Sequence, residues 1–174
     1  AVVKLVEYSD FQCPACATYA PYVAEIMAEY GDDISLEYRH FPLAGNHPHA
    51  IAAAVAAEAA GIQGKFFEYH DLLFANQSVW SSSASPTGYF KAYAKELGLD
   101  EDQFAKHLKS STLRDYVVTS MREALSSGFT STPTFVLNGQ KMQHTTFGEF
   151  RDQIVGAIPE RSEVVNEEAM NEVE

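Results

Sequence analysis

The chain has 174 residues, 46% of them apolar, and a net charge of −12. That length suits one domain, or one domain carrying an insertion, with enough apolar side chains for a real core. The charge disfavours nucleic acid, whose phosphates call for a basic surface, and no apolar run approaches the ~18 residues needed to cross a bilayer.

The sequence opens at Ala1, straight into "VVKLVEYS" (2–9), an apolar, β-branched segment that predicts a buried strand. So abrupt a start is expected of a processed or trimmed protein, and the lack of a signal peptide does not argue for the cytoplasm. After "DFQ", Pro14 suits the first turn of a helix, where no backbone N–H is required. Tyr19, Tyr22, Val23, Ile26, Met27 and Tyr30 then recur at helical spacing up to Gly31. "ISLEYRHF" (34–41) alternates as a second strand, closed by Pro42.

From His47 to about Gly128 the periodicity is helical. "HAIAAAVAAEAAGIQG" is alanine-rich, and "KFFEYHDLLFANQ" sets Phe66, Phe67, Tyr69, His70, Leu73 and Phe74 on a helical stripe. Pro86 is expected to start the next helix, Asp100 to cap another, and "TLRDYVVTSMREALSSG" to form the last of the group. Strands return in "TFVLNGQKMQ" (134–143), a hairpin about Asn138-Gly139. "TTFGEFRDQIVGAI" reads as a capped final helix. Residues 159–174 hold six acids and one arginine, and a solvated, weakly helical tail is expected there. The order β-α-β, helices, β-β-α predicts one central sheet covered by helices.

The only cysteines, Cys13 and Cys16, lie in "FQCPACATYAP". Two cysteines cannot scaffold a domain of this size, and a bridge across two residues constrains the unfolded chain little. Reactivity is the better explanation. At a helix N-terminus, unpaired N–H groups and the dipole favour thiolate, with pKa values falling to roughly 3.5–7.5. Cys13 stands at that point and is expected to be the exposed attacker, with Cys16 one turn inward as the shielded partner. Far along the chain, "TSTPTFVLNG" puts Pro133 just before a strand, where a cis Thr132–Pro133 bond would leave a backbone edge for an extended substrate.

"VEYSDFQCPACATYAP", "YRHFPL" and "STPTFVLNG", in this order around a helical insert, resemble the DsbA-like thiol–disulfide oxidoreductases of the thioredoxin superfamily, and within them the BdbD-type subfamily. The resemblance covers about residues 1–157. It implies an α/β thioredoxin-like fold, a mixed sheet flanked by helices, formed by residues 1–44 and 129–158. An all-helical insertion at 45–128 and the acidic tail at 159–174 complete the chain. It implies Cys13 as nucleophile, Cys16 as resolving cysteine, Pro133 as the cis-proline, and Glu7 as a buried acid able to accept a proton from the buried cysteine. Pro14, Ala15 and Thr132 would contact substrate. The implied partners are reduced or disulfide-bonded proteins and a recycling redox protein, membrane-bound in some settings, outside the cytoplasm. The dithiol itself is the redox centre, with no metal or organic cofactor. One departure matters: Ala15 stands where the strongest oxidant of the family has histidine, and it brings neither hydrogen bond nor charge to the thiolate. Thr132 also occurs in isomerase-like relatives, so the direction of electron flow stays open.

Other readings are weaker. Structural zinc needs four ligands, and His40, His47, His49, His70, His107 and His144 offer no matching spacing. His47 and His49 are expected at the surface of a helix start, His40 as a packed strand-end residue, and His70 in the core. The stripe Phe66, Phe67, Tyr69 and Phe74 is expected to be core rather than substrate groove. Kappa-type glutathione transferase relatives share the inserted architecture but lack this dithiol. A non-catalytic partner protein on the same fold is the alternative from a different class.

Overall fold

A computed structural model describes residues 1–160. The elements run β1 (Val3–Ser9), α1 (Pro14–Tyr30), β2 (Ile34–His40), α2 (Ala50–Ile62), α3 (Phe66–Ala75), α4 (Gln77–Trp80), α5 (Thr87–Glu96), α6 (Glu101–Leu108), α7 (Ser111–Ser126), β3 (Thr134–Leu137), β4 (Gln140–Lys141) and α8 (Phe147–Gly156). The sheet order is β2-β1-β3-β4. β1 pairs parallel with β2 and antiparallel with β3, and β3 pairs antiparallel with β4, so the sheet is mixed. This is the thioredoxin-like architecture with helices inserted between β2 and β3. The acidic tail falls almost wholly outside the described residues.

Local chemistry accounts for the element ends. Asn138 and Gly139 both take positive φ, 47° and 83°, as a two-residue hairpin turn requires. Side chains of Asp100, Ser110 and Thr146 cap α6, α7 and α8 by accepting from the N–H groups of Gln103, Leu113 and Glu149. The stripe Phe66 to Phe74 lies wholly on α3, as its spacing predicts. After it, α3 stops at Ala75 and a short α4 begins at Gln77. The Asn76 amide donates to the Leu72 carbonyl, closing the end of α3 from its own side chain.

Three apolar clusters hold the layers together. Val3 and Leu5 meet Val23, Ile26, Phe135, Phe150 and Ile154 between the sheet, α1 and α8. Val6 and Tyr8, on the opposite face of β1, pack with Phe41 and Ala124. The third runs from Phe11, Cys13 and Cys16 directly into α2, Tyr69, Leu73, Trp80 and Phe104. The alanines of α2 make this possible, because small side chains let neighbouring helices approach closely. The active-site segment thereby shares a core with the insertion.

Candidate active site

Cys13 is the N-cap of α1, with Pro14 at its first position. Its backbone is extended, so the chain turns into the helix with the Cys13 sulfur beside the open N–H groups of the first turn. Pro14 and Ala15 are exposed at the tip. Both cysteines are free thiols. Their accessibilities, 7% for Cys13 and 0% for Cys16, have the expected order. Cys13 is nevertheless not the exposed residue that its place at the helix start predicts. The Thr132–Pro133 segment lies over it, with Cys13 Sγ 3.6 Å from the Thr132 carbonyl that accepts its proton. The Thr132–Pro133 bond is cis.

The two thiols are electrostatically opposite. Hydrogen bonding from the Cys16 thiol lowers the Cys13 pKa to about 5, against the opposing effect of burial. Thr132 and the backbone N–H groups of Cys16 and Ala15 add to the lowering. Cys16 is pushed far above the ordinary thiol range, first by burial and then by Cys13. One sulfur is thus poised as thiolate, and the other holds its proton.

The insertion clamps the loop before Cys13. The buried Asp10 carboxylate accepts from the Gln12 N–H at 2.8 Å and the Leu43 N–H at 2.9 Å, and pairs with His47 Nδ1 at 2.7 Å. The Gln77 amide donates to the carbonyls of Phe11 and Cys13 at 2.7 and 2.9 Å. Gln12 Oε1 accepts from the His49 N–H, and His49 Nε2 meets the Ser83 carbonyl. His47 and His49 are therefore half-buried ties between loop and insertion, not surface residues of a helix start. Asp10 and Gln77 escaped the sequence reading because all their partners but Gln12 lie 33 to 66 residues away.

Beneath the dithiol the sheet turns polar. Glu7 and Ser9 on β1 sit opposite Tyr38 and His40 on β2. Burial raises the Glu7 pKa, with His70 opposing it. Tyr38 is raised by burial and by the charges of Glu7 and Cys16, so all three share one pocket. The Ser9 hydroxyl lies near enough to Cys16, Glu7 and Tyr38 to favour the ionised form of each. It makes no hydrogen bond of good geometry, and Glu7 Oε1 and the Tyr38 hydroxyl also lack partners among the described residues. His40 is packed at the strand end, as expected, with Nε2 2.6 Å from Glu58 Oε1. His70 is buried, also as expected. Of the aromatic stripe, Tyr69 and Phe74 are core, Phe66 is half-buried, and Phe67 is 43% exposed.

On the other side of Cys13, a groove of about 630 Å³ runs beside Pro133, lined by Tyr19, Thr134, Phe135, Gln143 and His144. The Tyr19 hydroxyl and His144 Nε2 are hydrogen-bonded at 2.6 Å and brace its wall. The site thus brings together Cys13, Cys16, Thr132 and Pro133 at one end of the sheet, with Glu7 in the pocket below Cys16. A low-pKa thiol beside a shielded one is an arrangement suited to thiol–disulfide exchange.

A protein-family model described as Thioredoxin matches residues 1–155. The chain belongs to this thioredoxin family, with a helical region inserted between β2 and β3. Among solved structures it is similar to a thioredoxin-like oxidoreductase from Silicibacter pomeroyi, with 29% identity and a TM-score of 0.71 over 89% of this chain and 86% of that one. It shares the fold of BdbD from Bacillus subtilis, with 20% identity and a TM-score of 0.79 over 91% and 88%. Among curated proteins it is similar to the Na(+)/H(+) antiporter NhaA 3 of Salinispora tropica, with 40% identity over 141 residues. That match takes in 81% of this chain but 21% of the antiporter, so the chain spans about a fifth of that relative's length. Among the described residues, no helix is long and apolar enough to cross a membrane.

Proposed function

We propose that the protein exchanges disulfides with protein substrates through Cys13 and Cys16, outside the cytoplasm. The observation that carries this reading is the split between the thiols, with Cys13 lowered to about 5 and Cys16 raised. In the oxidised protein a substrate thiolate attacks Cys13 Sγ, a mixed disulfide forms, and Cys16 leaves. A second substrate thiolate then attacks the substrate sulfur of that bridge, releasing Cys13 as a stable thiolate. The reverse sequence reduces a substrate disulfide. Pro133 and the Thr132 backbone would receive an extended substrate segment beside Cys13, with Pro14 and Ala15 at the exposed tip. Glu7 would exchange a proton with Cys16. No metal or organic cofactor enters these steps.

An extracytoplasmic setting fits a dithiol meant to persist as a disulfide. The sodium–proton antiporter relatives carry the matching stretch as part of a much longer chain. That favours a membrane-bound redox partner that recycles Cys13–Cys16. Ala15 in place of histidine points to a moderate rather than extreme oxidant.

The test is trapping. Cys16→Ser should accumulate mixed disulfides with reduced or scrambled protein substrates, and Cys13→Ser should not. Iodoacetamide should label Cys13 before Cys16 in the reduced protein. Failure of the parent to equilibrate with glutathione, together with no trapping by Cys16→Ser, would exclude this function.

A further inference from the structure

A second pocket, of about 460 Å³, lies in the insertion, walled by α2, α5, α6 and the start of α7. Its floor is apolar: Val55 and Phe90 are buried there and Leu108 is half-buried. Its rim carries Lys91, Lys109 and Arg114, all three exposed. The chain has only 12 lysines and arginines against 24 acids. Three of those cations nevertheless meet at one pocket, and among the described residues no acidic side chain lines it. The ion pairs that lysine and arginine make among the described residues are those of Lys4, Arg39, Lys65 and Arg151, so none takes up a cation of the rim.

We propose that this pocket binds a small anionic amphiphile, a free molecule with one carboxylate or phosphate head on an apolar body. Its volume is that of ordinary small-molecule sites, which are mainly apolar with a few placed polar groups. The head sits at the rim. Arg114 offers a planar fork of donors for two of its oxygens, and Lys91 and Lys109 add point charges. The body covers Val55, Phe90 and Leu108 and takes their apolar surface out of water. The helix ends agree in sign. α5 starts at Thr87 and α7 at Ser111, both on the pocket, against the single closing end of α6 at Leu108.

Floor and rim together exclude other occupants. A cation is repelled by the rim, and a metal ion finds no carboxylate, imidazole or thiol among the lining residues. A bare anion leaves the apolar floor wet, and a nonionic molecule gains nothing from the three charges. An anionic bilayer presents a broad surface, which a chain of net charge −12 approaches against repulsion. None of the lining residues belongs to the exchange site, so this inference stands independently of the dithiol reading.

The experiment titrates the full chain by calorimetry with decanoate and with decyl phosphate, each below its micelle concentration. Decyl glucoside and inorganic phosphate serve as the body without the charge and the charge without the body. One molecule of decanoate or decyl phosphate should bind per chain, and added salt should weaken it. The tighter of the two identifies the head. Arg114→Gln should weaken binding about tenfold or more, and the triple change Lys91→Gln, Lys109→Gln, Arg114→Gln should abolish it. Ala52→Phe, at an exposed position on the pocket wall, should abolish it by filling the floor. Decyl glucoside and inorganic phosphate should each bind at least tenfold more weakly than the better amphiphile. Absence of binding by both amphiphiles overturns the proposal. So does equal binding to the triple variant, or equal binding of decyl glucoside or of inorganic phosphate. Sedimentation with phosphatidylglycerol vesicles that the triple variant loses, without binding of either free amphiphile, also overturns it and makes the rim a membrane contact. Should Ala52→Phe not fold, Arg114→Gln and the triple variant, which alter only exposed side chains, still decide the matter.

Discussion

One face of β1 is two surfaces laid end to end. Val3 and Leu5, in its first half, enter an apolar cluster with Ile26, Phe135, Phe150 and Ile154. Glu7 and Ser9, in its second half, point the same way and are equally buried, yet they meet Tyr38, His70 and the Cys16 sulfur. The first half is ordinary core, where burial of each large apolar side chain stabilises by roughly 1.5–3 kcal/mol. The second holds buried polar atoms without hydrogen-bond partners, each costing about 1–3 kcal/mol. A strand that spends stability in its last two inward positions, directly under the shielded thiol of the pair, marks where polar groups have displaced packing.

That contrast can be broken from either half. The largest effect is expected in the apolar half: Leu5→Ala, at a fully buried position, should lower unfolding free energy by about 2–5 kcal/mol. Per folded molecule, its glutathione exchange should stay close to that of the parent. Urea midpoints and exchange rates on the same samples check both statements.

Glu7→Leu extends the apolar pattern into the polar half. Its folded pKa is raised by burial from an ordinary 4.5. The stability linked to Glu7 is therefore fully present below 4.5 and is lost as pH rises through the raised value. The variant should gain about 1–3 kcal/mol over the parent at neutral and higher pH, the gain shrinking as pH falls toward 4.5. Its exchange should slow. A gain in both stability and rate would mean that Glu7 is a packing fault and not a proton partner.

The thiol beside Cys16 sharpens the comparison through a redox-dependent term. Cys13 falls from 9.0 to about 5 on folding, so its stabilising contribution to the reduced protein is present above 9.0 and is lost as pH falls through about 5. The oxidised protein lacks it. Unfolding of the two forms should show the reduced one losing its relative advantage on acidification, with thiolate absorbance near ~240 nm declining over the same range.

Ala15→His gives the smallest change. A histidine at the exposed tip adds a donor near Cys13 Sγ. Each further unit of lowering is worth about 1.4 kcal/mol, or about 30 mV for a two-electron couple. Redox titration against glutathione should find the variant more oxidising by some tens of millivolts at pH 7, because with Cys13 lowered to about 5 the stabilisation of its thiolate enters the potential in full. An unchanged potential would leave the helix terminus and Cys16 as the groups that set the poise.

The legible parts of this molecule were the local ones. Pro14 after Cys13, Asn138-Gly139 and the Asp100 cap each act within a few residues, and the structure realises each as read. The CxxC spacing and the distant Pro133 were legible because their residue types are uncommon outside such sites. What the sequence hid is long-range and made of common residues. Nothing about Ser9, Tyr38 or His70 alone says that they converge, because convergence depends on the β1–β2 register and on how α3 packs over it. Burial of Cys13 was hidden likewise: a helix start is usually open, and only the fold sets Thr132 above it.

The clamps around the cysteines also bear on how the chain is made. Cys13 and Cys16 leave the ribosome before the residues that hold them: the Gln77 amide that holds the Cys13 carbonyl follows 64 residues later, and the Thr132 carbonyl over Cys13 follows 119 residues later. Contacts of such separation form late, since long loops must close first. During synthesis, therefore, the two sulfurs are ordinary cysteines on an incomplete chain. Their cover is complete only when residues from the last third of the described chain arrive. A nascent chain halted before Thr132 would lack the segment that lies over Cys13, so the surroundings of the two sulfurs are completed only once that residue has been made and folded back.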